Sequence, residues 1–438
     1  MSRKISLRKI MFFIGPVTAL ALALGAIFAV QSFSRTFAAS SHTRYVGHTA
    51  GTNASCSSPG YTSVQAAVDA ASNGDIIYLC GTVPYAEQVI ITKAITLTGD
   101  AGATIQAPAT FTTTASQLPP QFASDNLVIP QAIVIVWGAG SNARVMNLNI
   151  TGPLPGNGGC GADEYGVLVI AGGKAVLQGD HVSNIHDSNS ALYGCQFGVG
   201  IEVGRRYWHT AGYGSAKVEN FVGQAMITRV TVTGYQKNGI TVDGPGSKVN
   251  ITGSTIDGAG RDNQFAPIIA QNGIQISRGA VGQVVGNTVA GNSYTGTAPG
   301  ASSGGILVYG GCGDPDSVKV VVEGNMLSNN DVGVYLNNYD PSCTAPAPQK
   351  TNEEVLNNKI SNNAVTNQSS YTASDGNTYN GYQAGIDDIG NYDLIVQNTI
   401  SGTGYTPAQT TPPGPLVLPI DTTSFPTIHP TVLGNRVI

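Results

Sequence analysis

The sequence predicts an all-β fold, a single-stranded parallel β-helix or solenoid. Three observations lead there: a short motif recurs, its apolar residues alternate with polar ones, and its copies are unevenly spaced. The clearest copy, residues 239–256, reads GITVDGPGSKVNITGSTI. A glycine, a branched apolar residue, a variable residue and a second apolar residue open each copy. The openings are Gly166-Val167-Leu168-Val169, Gly200-Ile201-Glu202-Val203, Gly239-Ile240-Thr241-Val242, Gly273-Ile274-Gln275-Ile276, Gly305-Ile306-Leu307-Val308, Gly333-Val334-Tyr335-Leu336 and Gly385-Ile386-Asp387-Asp388. Each copy closes on a small polar residue with an apolar one two places on: Asp180, Ser254, Asn287, Asn325, Asn358, Asn398 and Asn435.

Alternation over short Val/Ile-rich segments is the strand signature, and no helical period runs through these copies. Successive opening glycines lie 34, 39, 34, 32, 28 and 52 residues apart, as constant strands joined by variable loops require. A unit this small cannot bury its own apolar face and must stack on its neighbours. The clearest repeats cover 166–438, and one solenoid domain is expected over 40–438, because added repeats lengthen a single core.

Residues 1–39 carry Arg3, Lys4, Arg8, Lys9 and Arg35, no acidic residue, and an apolar run over 10–30. The pattern reads as a signal peptide, with Ala38 and Ala39 near the cleavage point. Retained, the run is long enough for a membrane anchor. Either way the body of the chain is expected outside the cytoplasm, secreted or displayed on the cell surface. Without those five charges, 16 basic residues face 26 acidic ones. That balance argues against nucleic acid as a partner.

Six cysteines in an exported chain suggest three disulfides, with free thiols the alternative. Cys160 and Cys195 precede their opening glycines, Gly166 and Gly200, by six and five residues, which places them at equivalent points on successive coils. Cys312 and Cys343 follow Gly305 and Gly333 by seven and ten. Cys56 and Cys80 then pair by elimination.

Residues 62–71, TSVQAAVDAA, put Val64, Ala67, Val68 and Ala71 on one helical face. A short amphipathic helix there would cap the open end of the first coil. After it come Gly74-Asp75, an apolar strand, a glycine, Tyr85, Glu87 and further strands ending at Gly99. This opening, with the later copies, resembles the pectin-lyase-like superfamily of right-handed parallel β-helix proteins, over nearly the whole chain after residue 39. The resemblance implies that the GIxV strands form a first sheet and that the closing asparagines stack as an internal ladder. It also implies a substrate path along the outer face of the first sheet, and an extracellular polysaccharide as ligand.

Along that face Glu202, Arg205, Asp243 and Arg278 converge within three coils of a chain poor in charge. Adjacent strands about 4.8 Å apart and a two-residue advance of about 6.7 Å put the Cα atoms of Glu202 and Asp243 roughly 8 Å apart. Inverting glycosidases hold their carboxyls about 6.5–9.5 Å apart, so Glu202 and Asp243 are the candidate acid and base. Arg205 or Arg278 would bind a uronate or act as base in an elimination. The competing reading is a solvated face of ion pairs. Asp387 and Asp388 form a second candidate pair, with Asp388 on a position that is apolar in every other copy. An unpaired inward carboxylate there must find a partner, raise its pKa or displace the strand. Tyr207, Trp208, Tyr309 and Tyr335, with Tyr339, are candidate sugar-stacking rings, or stack on one another from coil to coil.

The family's familiar active sites do not transfer. The Gly-His-Gly and Arg-Ile-Lys of polygalacturonases, the Leu-Gly-Arg-Pro-Trp of pectin methylesterases and the Arg-x-Pro-x-x-Arg of pectate lyases are all absent. His181 and His186, beside Asp180 and Asp187, fit turn hydrogen bonding better than a metal site. No cofactor is required, while calcium on loop carboxylates such as Asp314, Asp316, Asp331 and Asp340 is compatible with the composition. Residues 407–430 are expected to fold back as a cover over the last coil. Two functions follow: a polysaccharide lyase or inverting glycoside hydrolase, or a non-catalytic glycan-binding or adhesive solenoid.

Overall fold

A computed structural model of the protein describes residues 41–156, 159–208, 218–310, 317–338, 351–373, 376–422 and 429–438. Nearly every strand belongs to one of three long parallel sheets. The first has 10 strands, from Val89–Ile91 to Leu416–Asp421; the second has 12, from Thr43–Val46 to Thr431–Leu433; the third has 11, from Tyr85–Ala86 to Arg436–Val437. Successive strands of one sheet come from successive coils, so the chain winds as a right-handed parallel β-helix.

The motif accounts for the winding. The second and fourth residues of each opening point inward, and Ile201, Val203, Ile240, Val242, Ile274, Ile276, Ile306 and Val308 are all fully buried. Neighbouring coils pair these positions in register, Ile240 with Ile274 and Val242 with Ile276. At Gly239 a Cβ would lie 2.5 Å from Ile256 Cγ2 and 2.6 Å from the Gly273 carbonyl oxygen, so no larger residue fits.

A tight turn joins the second sheet to the third. Its first residue is left-handed in coil after coil, as at Gly253, Gly286, Gly324 and Gly434 and, at residues with a Cβ, Arg229, Asn357 and Gln397. From Gly286 onward the next residue forms the asparagine ladder. Asn287, Asn325, Asn358 and Asn398 each donate the backbone N–H and the side-chain amide to the Oδ1 of the following rung, at 2.9–3.0 Å. Ser254 takes the rung before Asn287.

The expected cap is a helix, Val64–Ala70, with Val64, Ala67 and Val68 buried against the first coil. Ser63 caps it, and Glu87 accepts from Val64 N, Gln65 N and Ser63 Oγ at its N-terminus. A carboxylate there meets free N–H groups and the positive end of the helix dipole. The strand Thr43–Val46 extends the second sheet beyond it. At the other end, residues 407–430 are not simply a cover. Leu416–Asp421 pairs in parallel with Tyr382–Asp388 and adds a strand to the first sheet, with Pro419 standing where earlier coils have their opening glycine.

Cys56–Cys80 and Cys160–Cys195 are disulfides, with Cα atoms 5.4 and 5.0 Å apart. Cys312 and Cys343 lie outside the described residues, as do Asp314, Asp316, Asp340 and Tyr339.

Candidate functional site

On the outer face of the first sheet, the variable residues of the motif form one column. Leu168, Glu202, Thr241, Gln275, Leu307, Tyr335, Asp387 and Asp421 are paired in succession. Two residues on, Asp243, Ser277, Tyr309 and Asn337 form a second column. The predicted charged residues therefore share one face, but they differ in exposure.

The N-terminal coils of this face are covered. An antiparallel hairpin, Arg205–Trp208 with Val218–Phe221, lies over them. Tyr207 and Phe221 pack with Phe122 at centroid distances of 5.0–5.5 Å, in an apolar cluster with Tyr165, Leu168 and Ile170. Tyr207 is thus spent on packing, not displayed as a stacking platform. The side chain of Trp208 lies outside the described residues.

Glu202, beside this cover, is 1% exposed and its Oε1 has no hydrogen-bond partner. Burial pushes its carboxyl well above the usual range, against the pull of Arg205 and with a further push from Asp243. Asp243 is fully buried and saturated. Its Oδ1 accepts from Arg278 Nε at 2.7 Å and Ser277 Oγ at 2.9 Å, and its Oδ2 from Arg278 Nη2 at 2.5 Å and Arg206 N at 2.9 Å. Four donors fill the acceptor sites of this carboxylate. Arg205 pairs with Asp163 at 3.0 Å and lies over the Tyr207 ring at 5.4 Å. The cluster is neither a solvated face nor an open cleft; it is a desolvated network under a hairpin.

The middle of the face is partly exposed. Gln275, Tyr309, Tyr335 and Asn337 are half-exposed along adjacent coils. An amide network fixes its edge: Asn272 donates to Asn238, Asn238 to Thr241 and Gln275, and Gln275 to Ser277, at 2.9–3.1 Å. Through Ser277 this network reaches Asp243 and Arg278.

A second hairpin, Ser370–Thr372 with Thr378–Asn380, stands at the C-terminal end. Tyr371 stacks on Tyr382 at 4.5 Å, and Tyr335 packs against the same apolar cluster. Here the predicted Asp387–Asp388 pair splits, as alternation along a strand demands. Asp387 faces outward, beside Asp421 of the next coil, while Asp388 turns inward beside Leu336. Asp421 accepts the Tyr382 hydroxyl at 3.0 Å. Asp387 is 3% exposed, and burial, then Asp421, push its carboxyl up to about 8. Asp421 escaped the sequence reading because Pro419 breaks the glycine signature, although Pro419-Ile420-Asp421 keeps the alternation of Gly385-Ile386-Asp387.

The histidines bond within turns and between coils, His181 Nε2 to Thr233 Oγ1 at 3.2 Å and His186 Nδ1 to the Asp187 carbonyl at 2.8 Å. Asp331 accepts from Tyr294 N, Ser303 N, Ser293 Oγ, Thr366 Oγ1 and Asn367 Nδ2 inside the protein. Among the described residues, no group of three His, Cys, Asp or Glu side chains is arranged to hold a metal ion.

No family model matches the chain, and no curated protein matches it. Several solved structures are similar. An alginate lyase from Paenibacillus sp. str. FPU-7 is 12% identical with a TM-score of 0.41, over 90% of this chain and 99% of that one. The pectate lyase Pel9A is 13% identical with a TM-score of 0.33, over 91% of this chain and 80% of that one. The Dettilon tailspike protein is 11% identical with a TM-score of 0.40; the alignment takes in 83% of this chain but 62% of the tailspike, less than two thirds of its length. Each is a likeness at low identity, with a TM-score below 0.5.

Proposed function

We propose that this chain binds an extracellular polysaccharide along the outer face of its first sheet, between the two hairpins. The observation that carries the reading is the half-exposed row of Gln275, Tyr309, Tyr335 and Asn337 on a floor made rigid by the coil register. Amide groups match sugar hydroxyls and tyrosine faces match sugar C–H surfaces, and sites on strands hold their geometry better than sites on loops. Arg278 at the N-terminal border offers a cation to acidic sugars, although Asp243 already holds it. The two disulfides agree with maturation in an oxidising compartment, outside the cytoplasm.

A second reading, glycoside hydrolysis at the C-terminal end of the groove, is favoured by one observation. Asp387, held protonated by burial, neighbours Asp421, which takes a hydrogen bond from Tyr382. A carboxyl whose pKa burial raises, on the same face as a second acidic side chain, is an arrangement that general acid catalysis on sugars uses. The saturated Asp243 suits a wall of the groove better than a base.

The test incubates the purified chain with a panel of acidic and neutral polysaccharides, with calcium and with chelator, following binding, unsaturated-product absorbance and reducing ends together. Saturable binding supports the groove; reducing ends lost in Asp387→Asn support hydrolysis. Unsaturated product would make the chain a lyase. Absence of binding across the panel would refute the reading.

A further inference from the structure

Three carboxyl groups meet inside the protein where the chain leaves the first sheet. Asp388 occupies the inward place that Leu336 holds one coil earlier. Asp393, in the following turn, and Glu353, one coil back, complete the group, and all three are fully buried. One oxygen of each is satisfied. Asp393 Oδ1 accepts from Thr351 Oγ1 and Glu353 N, both at 2.7 Å; Asp388 Oδ1 accepts from Gly390 N at 2.8 Å; Glu353 Oε1 accepts from Asn338 Nδ2 at 2.6 Å. Glu353 Oε2, Asp388 Oδ2 and Asp393 Oδ2 have no partner.

The Asp393 carboxyl lies within hydrogen-bonding reach of both Glu353 and Asp388, and Asp387 adds its field from the other face of the same strand. Among the described residues no lysine, arginine or histidine forms an ion pair with any of the three. Like charges in contact and out of water cannot all ionise, so protons or a bound cation must neutralise them. The contacts run in a chain, Glu353 to Asp393 to Asp388, and among the described residues no three such groups are arranged to hold an ion. That geometry selects protons.

We propose that Glu353, Asp393 and Asp388 form a proton-held lock that keeps the C-terminal coils docked in acid and releases them as the pH rises. The strand Tyr382–Asp388 also carries Asp387 at the groove, so opening the lock would weaken glycan binding; that consequence rests on the groove reading above. Burial and then Asp393 push Asp388 up to about 8, and burial holds Glu353 well above the ordinary range. The folded state therefore binds more protons than the unfolded chain between the ordinary carboxylate range and about pH 8. In that window stability falls as pH rises, with its full value below the window.

Hydrogen exchange of the full chain from about pH 5 to 8, corrected for intrinsic rates, tests the lock. Opening of Tyr382–Asp388 and Leu394–Val396 should grow with pH, approaching about tenfold per pH unit for each ionising carboxyl. Asn238–Asp243 should not follow the same course. Asp388→Asn, which keeps the shape and cannot ionise, should flatten the rise; Glu353→Gln serves if that variant fails to fold. A flat profile in the unaltered chain would overturn the lock, as would reversal of the opening by added calcium, which would make the cluster a metal site. Glycan affinity measured alongside separates the two claims. Loss of binding at every pH with the exchange profile intact sinks the groove alone, and a flat profile with retained binding sinks the lock alone.

Discussion

Replacing Asn358 with alanine probes the ladder on which the stacking of coils depends. Its side chain is 1% exposed and makes four hydrogen bonds. Oδ1 accepts the backbone N–H and side-chain amide of Asn325, and Nδ2 donates to the Val322 carbonyl and Asn398 Oδ1, all at 2.9 Å. Alanine leaves the Asn325 N–H buried without a partner, at about 1–3 kcal/mol. It also removes the bonds to the Val322 carbonyl, which keeps its place in the ladder with Glu354–Leu356, and to Asn398, at about 0.5–1.5 kcal/mol each, so the loss is about 2–6 kcal/mol. Asn435 makes equivalent bonds to Asn398 and Ile395 but is half-exposed, so water can replace it. Asn435→Ala should then cost only about 0.5–1.5 kcal/mol. Urea unfolding of the two variants side by side, followed by circular dichroism, measures the difference. Equal losses, or an unchanged midpoint for Asn358→Ala, would refute the claim that burial of the ladder sets its worth.

Other perturbations address the outer face. Arg278→Ala strands a fully buried Asp243 and should destabilise the chain by about 3–5 kcal/mol, whereas the pair of apolar replacements Arg278→Met with Asp243→Leu should recover much of that loss in thermal melts. Burial pushes the Glu202 carboxyl up and so opposes its ionised form, and Glu202→Gln, which cannot ionise, should match or exceed the parent in unfolding midpoint at neutral pH; a large drop would show that the carboxylate form is needed. Tyr309→Ala should weaken glycan affinity by about 2–10-fold in isothermal titration, the worth of one stacking ring.

Much of the fold was legible because a β-helix repeats its instructions. Gly239-Ile240-Thr241-Val242 states in four residues which side chains enter the core and which face out, and the paired register confirms that division coil by coil. The Cys160–Cys195 disulfide followed from the same register, and Cys56–Cys80 by elimination. What the motif could not convey was the cover. The hairpin residues Arg205–Trp208 and Val218–Phe221 are joined through a long insertion, and their packing on Phe122 is a contact between distant segments that no local pattern announces. For that reason Glu202 and Asp243 read as a cleft although they are buried. Asp388, by contrast, was visible as a violation of the pattern, and the structure answers it with Asp393 and a raised pKa.

Polysaccharide binding as proposed on the first sheet's outer face would shield its tyrosines. Hydroxyl-radical footprinting of the full chain, with and without the tightest-binding oligosaccharide of the panel, tests it most directly. Tyr309 and Tyr335 should be protected, while Tyr392, 44% exposed in the turn leading to the second sheet, should react equally in both samples. Protection of Tyr392 with Tyr309 and Tyr335 unchanged would place the ligand elsewhere and contradict the account.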